Sequence, residues 1–236
     1  MATTETVFMD AGGVLVHPNW RRVADTLARH GQAVDVAALE RADRAVRRST
    51  DTVAGSRHVS DDARVSGYLH SVLAAIGIPR SPAVDDAVGE LRRYHAERNL
   101  WEWVPDDVRP ALDRLRALGL RLVIVSNANG TLHDHLARLE LLSYFDAVLD
   151  SFVEGFEKPD PRLFEAALKR ARARATTTVH VGDLYHVDVT GARLAGLRPV
   201  LLDPDDLYPE ADCERVRSLQ ALVDLLRRDS GPIGYA

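Results

Sequence analysis

Cysteine, lysine and long apolar runs are nearly absent from this 236-residue sequence. The single cysteine, Cys213, excludes an internal disulfide and a cysteine-based zinc site, and it favours a reducing compartment. No apolar run approaches the roughly 20 residues that a membrane-spanning helix needs. Residues 1–6 lack the basic start of a signal peptide. We therefore expect a cytoplasmic protein that does not associate with membranes.

The charge balance is slightly acidic. The formal net charge is −5, and only two of the 30 basic residues are lysines, Lys158 and Lys169. A nucleic-acid-binding surface needs an excess of positive charge, and the arginine-rich stretches 41–48 and 169–174 are typical of solvated helix faces. The sequence therefore predicts no nucleic-acid partner, and any chemistry that requires a lysine is restricted to two positions.

Short apolar runs alternate with helical periodicity over much of the chain. Apolar residues make up 46% of the sequence and charged residues 28%, which is typical of a folded globular protein. Strands alternating with helices predict an α/β layer with a parallel sheet, whose ligands bind at the carboxyl ends of the strands. The predicted strands are 6–9, 120–125 and 178–181, with weaker candidates at 145–149 and 199–202. The predicted helices of this layer are 106–118, 132–139, 162–173, 187–195 and 219–228.

Residues 19–100 depart from this alternation because they contain helical patterns only. Glycine and proline separate the patterns, which cover 20–30, 36–49, 63–76 and 83–95. We interpret this region as an all-helical subdomain inserted after the first strand. The α/β core would then be formed by residues 1–18 and 101–236.

Two groups of polar residues come directly after predicted strands. The first strand ends in Asp10, and Gly12 and Gly13 follow it in a tight turn. This aspartate is a candidate nucleophile or metal ligand, or else an ordinary turn cap. The second strand ends in Ser126 and Asn127. A serine hydroxyl beside a helix N-terminus suits an oxyanion, although for this pair taken alone a helix cap is the better explanation.

Two further groups carry a lysine and a pair of acids. Lys158 lies between Glu157 and Pro159, where a fixed ammonium could neutralise an anion, or where a lysine could be a plain surface charge. The strand at 178–181 leads to Asp183, and a second carboxylate, Asp188, follows five residues later. Paired acids at a strand end are natural ligands for a hard cation such as Mg²⁺. They also occur in the first turn of a capped helix.

These groups follow one another in a fixed order: Asp10-x-x-Gly13-Val14-Leu15, Ser126-Asn127, Lys158-Pro159 and Gly182-Asp183-x-x-x-x-Asp188. The set resembles the motifs of the haloacid dehalogenase-like (HAD) hydrolase superfamily, over nearly the whole chain. Its specific parts are the Lys-Pro-Asp-Pro element and the Gly-Asp element followed by Gly-Ala-x-x-Ala-Gly. The resemblance implies a Rossmann-like parallel sheet core with an inserted all-helical cap, to which residues 19–100 would correspond.

The resemblance implies that the substrate is a small phosphorylated molecule. Asp10 would attack phosphorus and form an aspartyl-phosphate. Ser126 would hydrogen-bond a phosphoryl oxygen, and Asn127 would take part in substrate binding beside it. Lys158 would pair with both the phosphate and the nucleophile. In this interpretation Asp10, Ser126 and Lys158 are the catalytic residues.

The resemblance also implies a magnesium site. Mg²⁺ would be held by the Asp10 carboxylate, the main-chain carbonyl of Gly12 and the Asp183 carboxylate, and it would offset the charge of phosphate and nucleophile. Asp188 would orient the metal's waters or Lys158 without contacting the metal itself. The expected activity is Mg²⁺-dependent hydrolysis of a phosphate.

One position departs from the family pattern. Most phosphatases of this family have a second aspartate two positions after the nucleophile, which acts as general acid and base, whereas this chain has Gly12 there. The main-chain metal contact survives the change, but the acid–base side chain is lost, and such groups contribute typically about 10²–10⁴-fold. Acyl and aryl phosphates need this help least, because their leaving groups depart without a proton. Three residues near the motifs could substitute, although a structural role is commoner for each: His17, Tyr185 and His186.

The glycine leaves three interpretations open. We favour a Mg²⁺-dependent phosphatase with weakened or rerouted proton transfer. The runner-up is a degenerate protein that binds a phosphorylated ligand without turnover. The third is a 2-haloacid dehalogenase, an enzyme of the family that also lacks the second aspartate and needs no metal; the cap arginine that assists it could be Arg41. A Schiff-base mechanism on a cap lysine is disfavoured, because no lysine precedes Lys158.

The inserted helices are expected to choose the substrate. Four residues there are candidates to face it, although most such residues pack their own subdomain: Trp20, Arg57, His58 and Tyr68. The motifs identify the reacting group of the substrate and not the rest of it. They are compatible with a monomer and with a homodimer.

Overall fold

The chain divides into two compact units, each formed by elements that pack among themselves. The computed structural model describes residues 3–51 and 61–229. One unit is formed by Met1–Val16 with Val104–Ala236, and the other by His17–Trp103. We refer to them as the α/β unit and the helical unit. Arg57 and His58 lie outside the described residues.

The helical unit consists of α1 (Trp20–Arg29), α2 (Val36–Thr50), α3 (Asp61–Ala75) and α4 (Pro82–Arg98). Polar side chains begin three of these helices: Asn19, Asp35 and Ser81 each accept a hydrogen bond from the main-chain N–H three residues later. Apolar residues at helical spacing, such as Trp20, Val23 and Leu27 of α1, form one buried core. Trp20 therefore packs inside this unit.

The α/β unit is built on a six-stranded parallel sheet with the strand order β3-β2-β1-β4-β5-β6. The strands are β1 (Thr6–Met9), β2 (Arg121–Ser126), β3 (Ala147–Asp150), β4 (Thr178–Gly182), β5 (Arg198–Leu202) and β6 (Glu214–Val216). All five neighbouring pairs are parallel. This confirms the predicted α/β fold with an inserted helical region. The edge strand β6 was not predicted, because two of its three residues are exposed and it has no apolar run.

Helices cover this sheet as a parallel arrangement requires. They are α5 (Val108–Ala117), α6 (Leu132–Arg138), α7 (Ser151–Glu154), α8 (Pro161–Ala171), α9 (Thr190–Leu194) and α10 (Leu219–Asp229). A π-helical turn over Tyr185–Val189 precedes α9, so the helix predicted over 187–195 has a different start. In the described ranges, no helix is both long enough and apolar enough to cross a membrane.

The register of the central strands brings their carboxyl ends to one edge. Met9 of β1 lies beside Ile124 of β2 on one side and Val181 of β4 on the other. The residues that follow these strands therefore emerge next to one another. The predicted motifs meet at this edge because the three strands are parallel and adjacent, although more than 100 residues separate β1 from β2 along the chain.

Candidate functional site

Asp10 lies at the centre of the carboxyl edge, directly after β1. All four residues of β1 are buried, and the main-chain N–H of Asp10 donates to the carbonyl of Val181 in β4, at 2.9 Å. The chain then turns through Gly13, which has a φ of 79°, a value that favours glycine. The backbone of the candidate nucleophile is thus fixed by both the sheet and the turn.

Lys158 is a buried ammonium between two carboxylates. Its side chain is 1% exposed, and its Nζ lies 2.9 Å from Oδ1 of Asp10 and 2.7 Å from Oδ1 of Asp188. Burial by itself would lower the pKa of Lys158, but the charges of Asp10 and Asp188 outweigh burial and raise that pKa above its ordinary value. The lysine is therefore a permanent positive charge beside Asp10.

Asn127 holds the loop that carries Lys158. Its side-chain Nδ2 donates to the main-chain carbonyl of Lys158 at 3.0 Å, and its Oδ1 accepts from the main-chain N–H of Lys158 at 2.7 Å. The amide of Asn127 is thus engaged by the protein itself, and the substrate-binding role expected for this residue stays a prediction. Ser126 ends β2 and is 5% exposed, at the same edge of the sheet.

Asp150 and Ser151 organise the turn that follows Ser126, and sequence reasoning missed both. Asp150 accepts from the main-chain N–H groups of Gly130 and Leu132, at 2.9 and 3.3 Å, and Ser151 Oγ accepts from that of Ala128 at 3.0 Å. These contacts satisfy N–H groups around the start of α6. The only signal in the sequence was an acid at the end of a weak predicted strand.

Asp188 is buried behind Lys158 and is fully engaged. Its Oδ1 lies 2.7 Å from Lys158 Nζ, and its Oδ2 accepts from the main-chain N–H of Leu184 at 3.1 Å. Burial would raise the pKa of Asp188, but the ammonium of Lys158 and a hydrogen bond from His180 hold it well below its usual range. A Cβ on Gly182 would lie 2.0 Å from Cγ of Asp188. Glycine is therefore required at position 182 for this carboxylate to fit.

His180 is a further residue that sequence reasoning missed. Its Nε2 lies 2.9 Å from Oδ1 of Asp188, and its side chain is wholly buried. Burial lowers the pKa of His180 below its ordinary value, so the ring is neutral and donates through Nε2–H to the ionised carboxylate. The available signal was a histidine inside an otherwise apolar buried strand.

Three carboxylates converge at this edge. One oxygen each from Asp10, Asp183 and Asp188 lie within 4.8 Å of one another. Against them stands the ammonium of Lys158, so this group of four side chains carries two more negative than positive charges. Oδ1 of Asp10 is buried, and the ammonium of Lys158 lies 2.9 Å from it. Hard oxygen donors with surplus negative charge fit Mg²⁺. Asp188 contacts Lys158, His180 and Leu184, whereas Asp10 and Asp183 directly follow β1 and β4 at this edge and could hold the cation.

Tyr185, one of the three residues considered as substitutes for the missing acid, has other partners, and the ring of a second, His186, lies edge-on against it with centroids 5.5 Å apart. The Tyr185 hydroxyl donates to Asp212 at 2.5 Å and accepts from Arg193 at 3.1 Å. His17 belongs to the helical unit, where burial and the charge of Arg47 lower its pKa to about 4. Nothing in the described contacts of Tyr185 aims it at Asp10.

Two other candidates from the sequence also have local explanations. Tyr68 donates its hydroxyl to Asp43 within the helical unit. Arg41, considered for a dehalogenase, is an exposed residue of α2. The hydroxyl of Tyr68 is therefore explained by a contact within its own unit. Arg41 lies on the solvent-exposed face of its helix.

Comparison with known proteins identifies the family. Residues 4–196 match the haloacid dehalogenase-like hydrolase family. The chain belongs to the HAD hydrolases. This confirms the resemblance drawn from the four motif groups, and it makes the chain a hydrolase by family.

Curated HAD relatives include proteins with and without a stated substrate. The human haloacid dehalogenase-like hydrolase domain-containing protein 3 is 32% identical over 200 residues, which is 83% of this chain and 79% of the human protein. The glyceraldehyde 3-phosphate phosphatase of Methanothermobacter thermautotrophicus is 32% identical over 58% of this chain and 61% of its own length. The ribulose-1,5-bisphosphate 5-phosphatase of Halopiger xanaduensis is 38% identical over 42% of each chain.

Solved structures of HAD proteins are similar to this chain in fold. YfnB from Bacillus subtilis, in a structure bound to magnesium, has a TM-score of 0.68 at 20% identity and is matched over 99% of its chain and 95% of this one. A 2-haloacid dehalogenase from Pseudomonas syringae has a TM-score of 0.59 at 24% identity, over 99% of its chain and 96% of this one. At these identities the likeness concerns the fold alone.

Proposed function

We propose that the protein is a Mg²⁺-dependent phosphatase that acts on a small phosphorylated metabolite through an aspartyl-phosphate on Asp10. The observation that carries the proposal is the surplus of negative charge around the buried ammonium of Lys158, with Asp10 and Asp183 as oxygen donors beside it. Clustered carboxylates repel one another unless a cation is present. An arrangement of this kind suits a phosphoryl group together with a cation better than a 2-haloacid, which would add its own carboxylate charge in a reaction that uses no metal.

Two named relatives support the reaction class. The archaeal glyceraldehyde 3-phosphate and ribulose-1,5-bisphosphate phosphatases share 32% and 38% identity with the matched parts of this chain. Those matches cover 61% and 42% of the relatives, so they favour phosphate-ester hydrolysis without selecting a substrate. We propose that the helical unit makes that selection, and that the protein works as a monomer or homodimer.

The residues of the α/β unit divide the chemistry as follows. A carboxylate oxygen of Asp10 attacks phosphorus, and the new oxygen–phosphorus bond forms as the bond to the leaving oxygen breaks. Lys158 neutralises charge on the transferring phosphoryl group, and the Ser126 hydroxyl donates to one of its oxygens. Water then attacks phosphorus and releases inorganic phosphate and free Asp10. When bound by Asp10, the Gly12 carbonyl and Asp183, Mg²⁺ would supply further positive charge for this transfer.

Gly12 narrows the proposed substrates. No side chain at this position can protonate a leaving alkoxide, and the hydroxyl of Tyr185 is engaged with Asp212. Acyl and aryl phosphates leave as stable anions and do not require that proton. We therefore propose that these activated phosphates are hydrolysed faster than simple alkyl esters.

A panel of substrates tests the proposal. Phosphate release is measured with acetyl phosphate, p-nitrophenyl phosphate and glyceraldehyde 3-phosphate, with Mg²⁺ and with EDTA. We expect Mg²⁺-dependent release, and a loss of at least about 10³-fold in Asp10→Asn because the nucleophile is removed. Asp224→Asn is the matched control, since Asp224 is an exposed residue of α10.

Three other results would replace the proposal. Binding of phosphate esters without turnover, in a protein that Mg²⁺ stabilises against heat, would indicate the ligand-binding alternative. Chloride release from 2-chloropropionate in EDTA would indicate a dehalogenase. Equal phosphate release by the wild type and Asp10→Asn would show that Asp10 is not the nucleophile.

A further inference from the structure

His180 is connected to Asp10 through a line of short contacts. His180 Nε2 lies 2.9 Å from Asp188 Oδ1, which lies 2.7 Å from Lys158 Nζ, which in turn lies 2.9 Å from Asp10 Oδ1. Three of these residues belong to the predicted motifs, whereas His180 does not. Its hydrogen bond is to Asp188, so its path of short contacts to Asp10 runs through Asp188 and Lys158.

The contacts of Asp188 explain why this carboxylate needs more than one donor. A lysine ammonium on a four-carbon stem can rotate and accept several positions of its partner. The main-chain N–H of Leu184 holds only Oδ2 of Asp188. His180 therefore supplies the rigid donor to Oδ1, the oxygen that faces Lys158.

The strand itself places His180 for this role. Side chains alternate along a strand, so His180 and Gly182 of β4 share one face. Gly182 leaves the space that the Asp188 carboxylate fills, and His180 stands beside that space. The imidazole is held edge-on against Phe164, with ring centroids 4.8 Å apart. Because β4 is hydrogen-bonded on both sides, to β1 and β5, the donor is fixed with little freedom.

We infer that His180 is a positioning residue, which fixes the Asp188 carboxylate and thereby the place of the Lys158 ammonium relative to Asp10. For its effect on turnover this inference rests on the proposed phosphatase function. The contact geometry does not depend on that function.

A crossed pair of variants separates hydrogen bonding from packing. His180→Gln keeps an N–H donor at a similar reach but loses the ring against Phe164, whereas His180→Phe keeps an aromatic ring and loses the donor. Should the larger ring disturb this wholly buried position, His180→Leu serves as a second variant without a donor. His95→Leu is the control, because His95 is also buried but accepts a main-chain hydrogen bond within the helical unit.

Amine labelling gives a readout that does not need turnover. The chain has two lysines, buried Lys158 and exposed Lys169, so the labelling rate of Lys158 relative to Lys169 can be followed by mass spectrometry. We expect this ratio to rise at least about 10-fold in His180→Phe and His180→Leu, to stay near the wild-type value in His180→Gln, and to be unchanged in His95→Leu. Removing a residue that orients a group in contact with the reacting centre typically lowers metal affinity or activity by about 10–100-fold.

Turnover should follow the same order. With the best phosphate substrate of the panel, kcat is expected to fall about 10-fold or more in the donor-free variants, with KM nearly unchanged, and to be largely kept in His180→Gln. The inference would be overturned in favour of packing if the labelling ratio were the same in His180→Gln and His180→Phe. A fall of kcat in His180→Gln alone would overturn it as well. If the wild type hydrolyses no phosphate, the proposed function fails, while the labelling ratios still decide the role of His180.

Discussion

Both units of this HAD hydrolase enclose acidic side chains, but they satisfy them differently. In the helical unit, Glu102 accepts from Asn19 and Arg22, both at 2.8 Å, and from the Tyr94 hydroxyl at 2.5 Å. Burial would raise the pKa of Glu102, but these hydrogen bonds and the charge of Arg22 outweigh burial and hold that pKa below its ordinary value. This network is closed and needs nothing from outside the chain.

The acids of the α/β unit are arranged differently, because several of them share one cation. Asp10, Asp183 and Asp188 approach one another around Lys158, whose ammonium lies 2.9 Å from Asp10 and 2.7 Å from Asp188, so three carboxylates share one cation. A protein tolerates such repulsion where a ligand or cation relieves it. The comparison teaches that unmatched charge, rather than buried charge as such, distinguishes a candidate reaction centre from a structural network.

The largest expected effect is that of Lys158→Met. The change leaves Asp188 buried without its cation, and we expect the free energy of unfolding to fall by about 3–5 kcal/mol, with loss of phosphatase activity. Urea unfolding followed by circular dichroism measures the stability. Lys169→Met is the control, since Lys169 is exposed on α8. Equal stability of the two variants would contradict the view that Lys158 compensates these acids.

Gly12→Asp restores the acid that most family phosphatases carry. Unlike Gly13, Gly12 does not have a positive φ, so its backbone accepts a side chain. We expect hydrolysis of alkyl phosphates to rise by about 10²–10⁴-fold while acyl phosphates change little, because only the former need a proton on the leaving oxygen.

A second measurement ties this variant to the comparison of the two units. In EDTA the added carboxylate should lower the melting temperature, because it increases the surplus of negative charge, and Mg²⁺ should reverse the loss. An unchanged alkyl-phosphate rate would show that the missing acid does not limit turnover. An unchanged melting temperature in EDTA would show that the site is not short of positive charge.

Replacement by alanine should change the free energy of unfolding in opposite directions at one glycine of each unit, Gly182 and Gly67. A Cβ at Gly182 would overlap the Asp188 side chain, at 2.0 Å from its Cγ, and we expect Gly182→Ala to cost about 3 kcal/mol of stability. Gly67 lies exposed in α3 with nothing within 4 Å of a new Cβ. Gly67→Ala should therefore stabilise the protein by about 0.5–1 kcal/mol. Chemical denaturation of both variants checks the pair, and a tolerated Gly182→Ala would mean that Asp188 moves easily.

The smallest effect concerns pH and the helical unit. Burial and Arg47 lower the pKa of His17 to about 4, whereas an unfolded histidine titrates near 6.5. The unfolded state therefore binds more protons between these values, and stability falls as the pH falls, by about 2 kcal/mol at pH 5 from this residue. His17→Gln should remove that part of the pH dependence.

Tryptophan fluorescence can measure this effect, because Trp20, Trp101 and Trp103 all lie in the helical unit. Denaturation midpoints of the wild type and His17→Gln are compared at pH 7 and pH 5, so that other titrating groups cancel. The same loss between the two pH values in both proteins would rule out His17 as the source.

Particular elements show how far sequence reasoning reached. The strand at 6–9 is β1 without a change of boundary, because a short run of apolar and β-branched residues followed by Asp10 and two glycines is typical of a buried strand. The start of α9 was predicted less well, since periodicity does not distinguish an α-helical turn from the π-helical turn at Tyr185–Val189, in which Asp188 lies against Gly182. Edge strand β6 and helix α7 are short and partly exposed, and local patterns of that length carry little information.

The amino-acid sequence by itself determined the α/β alternation and the helical insertion, because these follow from hydrophobic periodicity. It also singled out the acids and the lysine at one sheet edge, because the order of their motifs resembles that of a known family. Only the tertiary structure decided which partner each polar group takes. In the folded protein, the side-chain amide of Asn127 hydrogen-bonds to the main chain of Lys158, and the imidazole of His180 hydrogen-bonds to Asp188. Such pairings depend on distances between strands and loops far apart in sequence, and hydrogen bonds and ion pairs form only at a few ångströms.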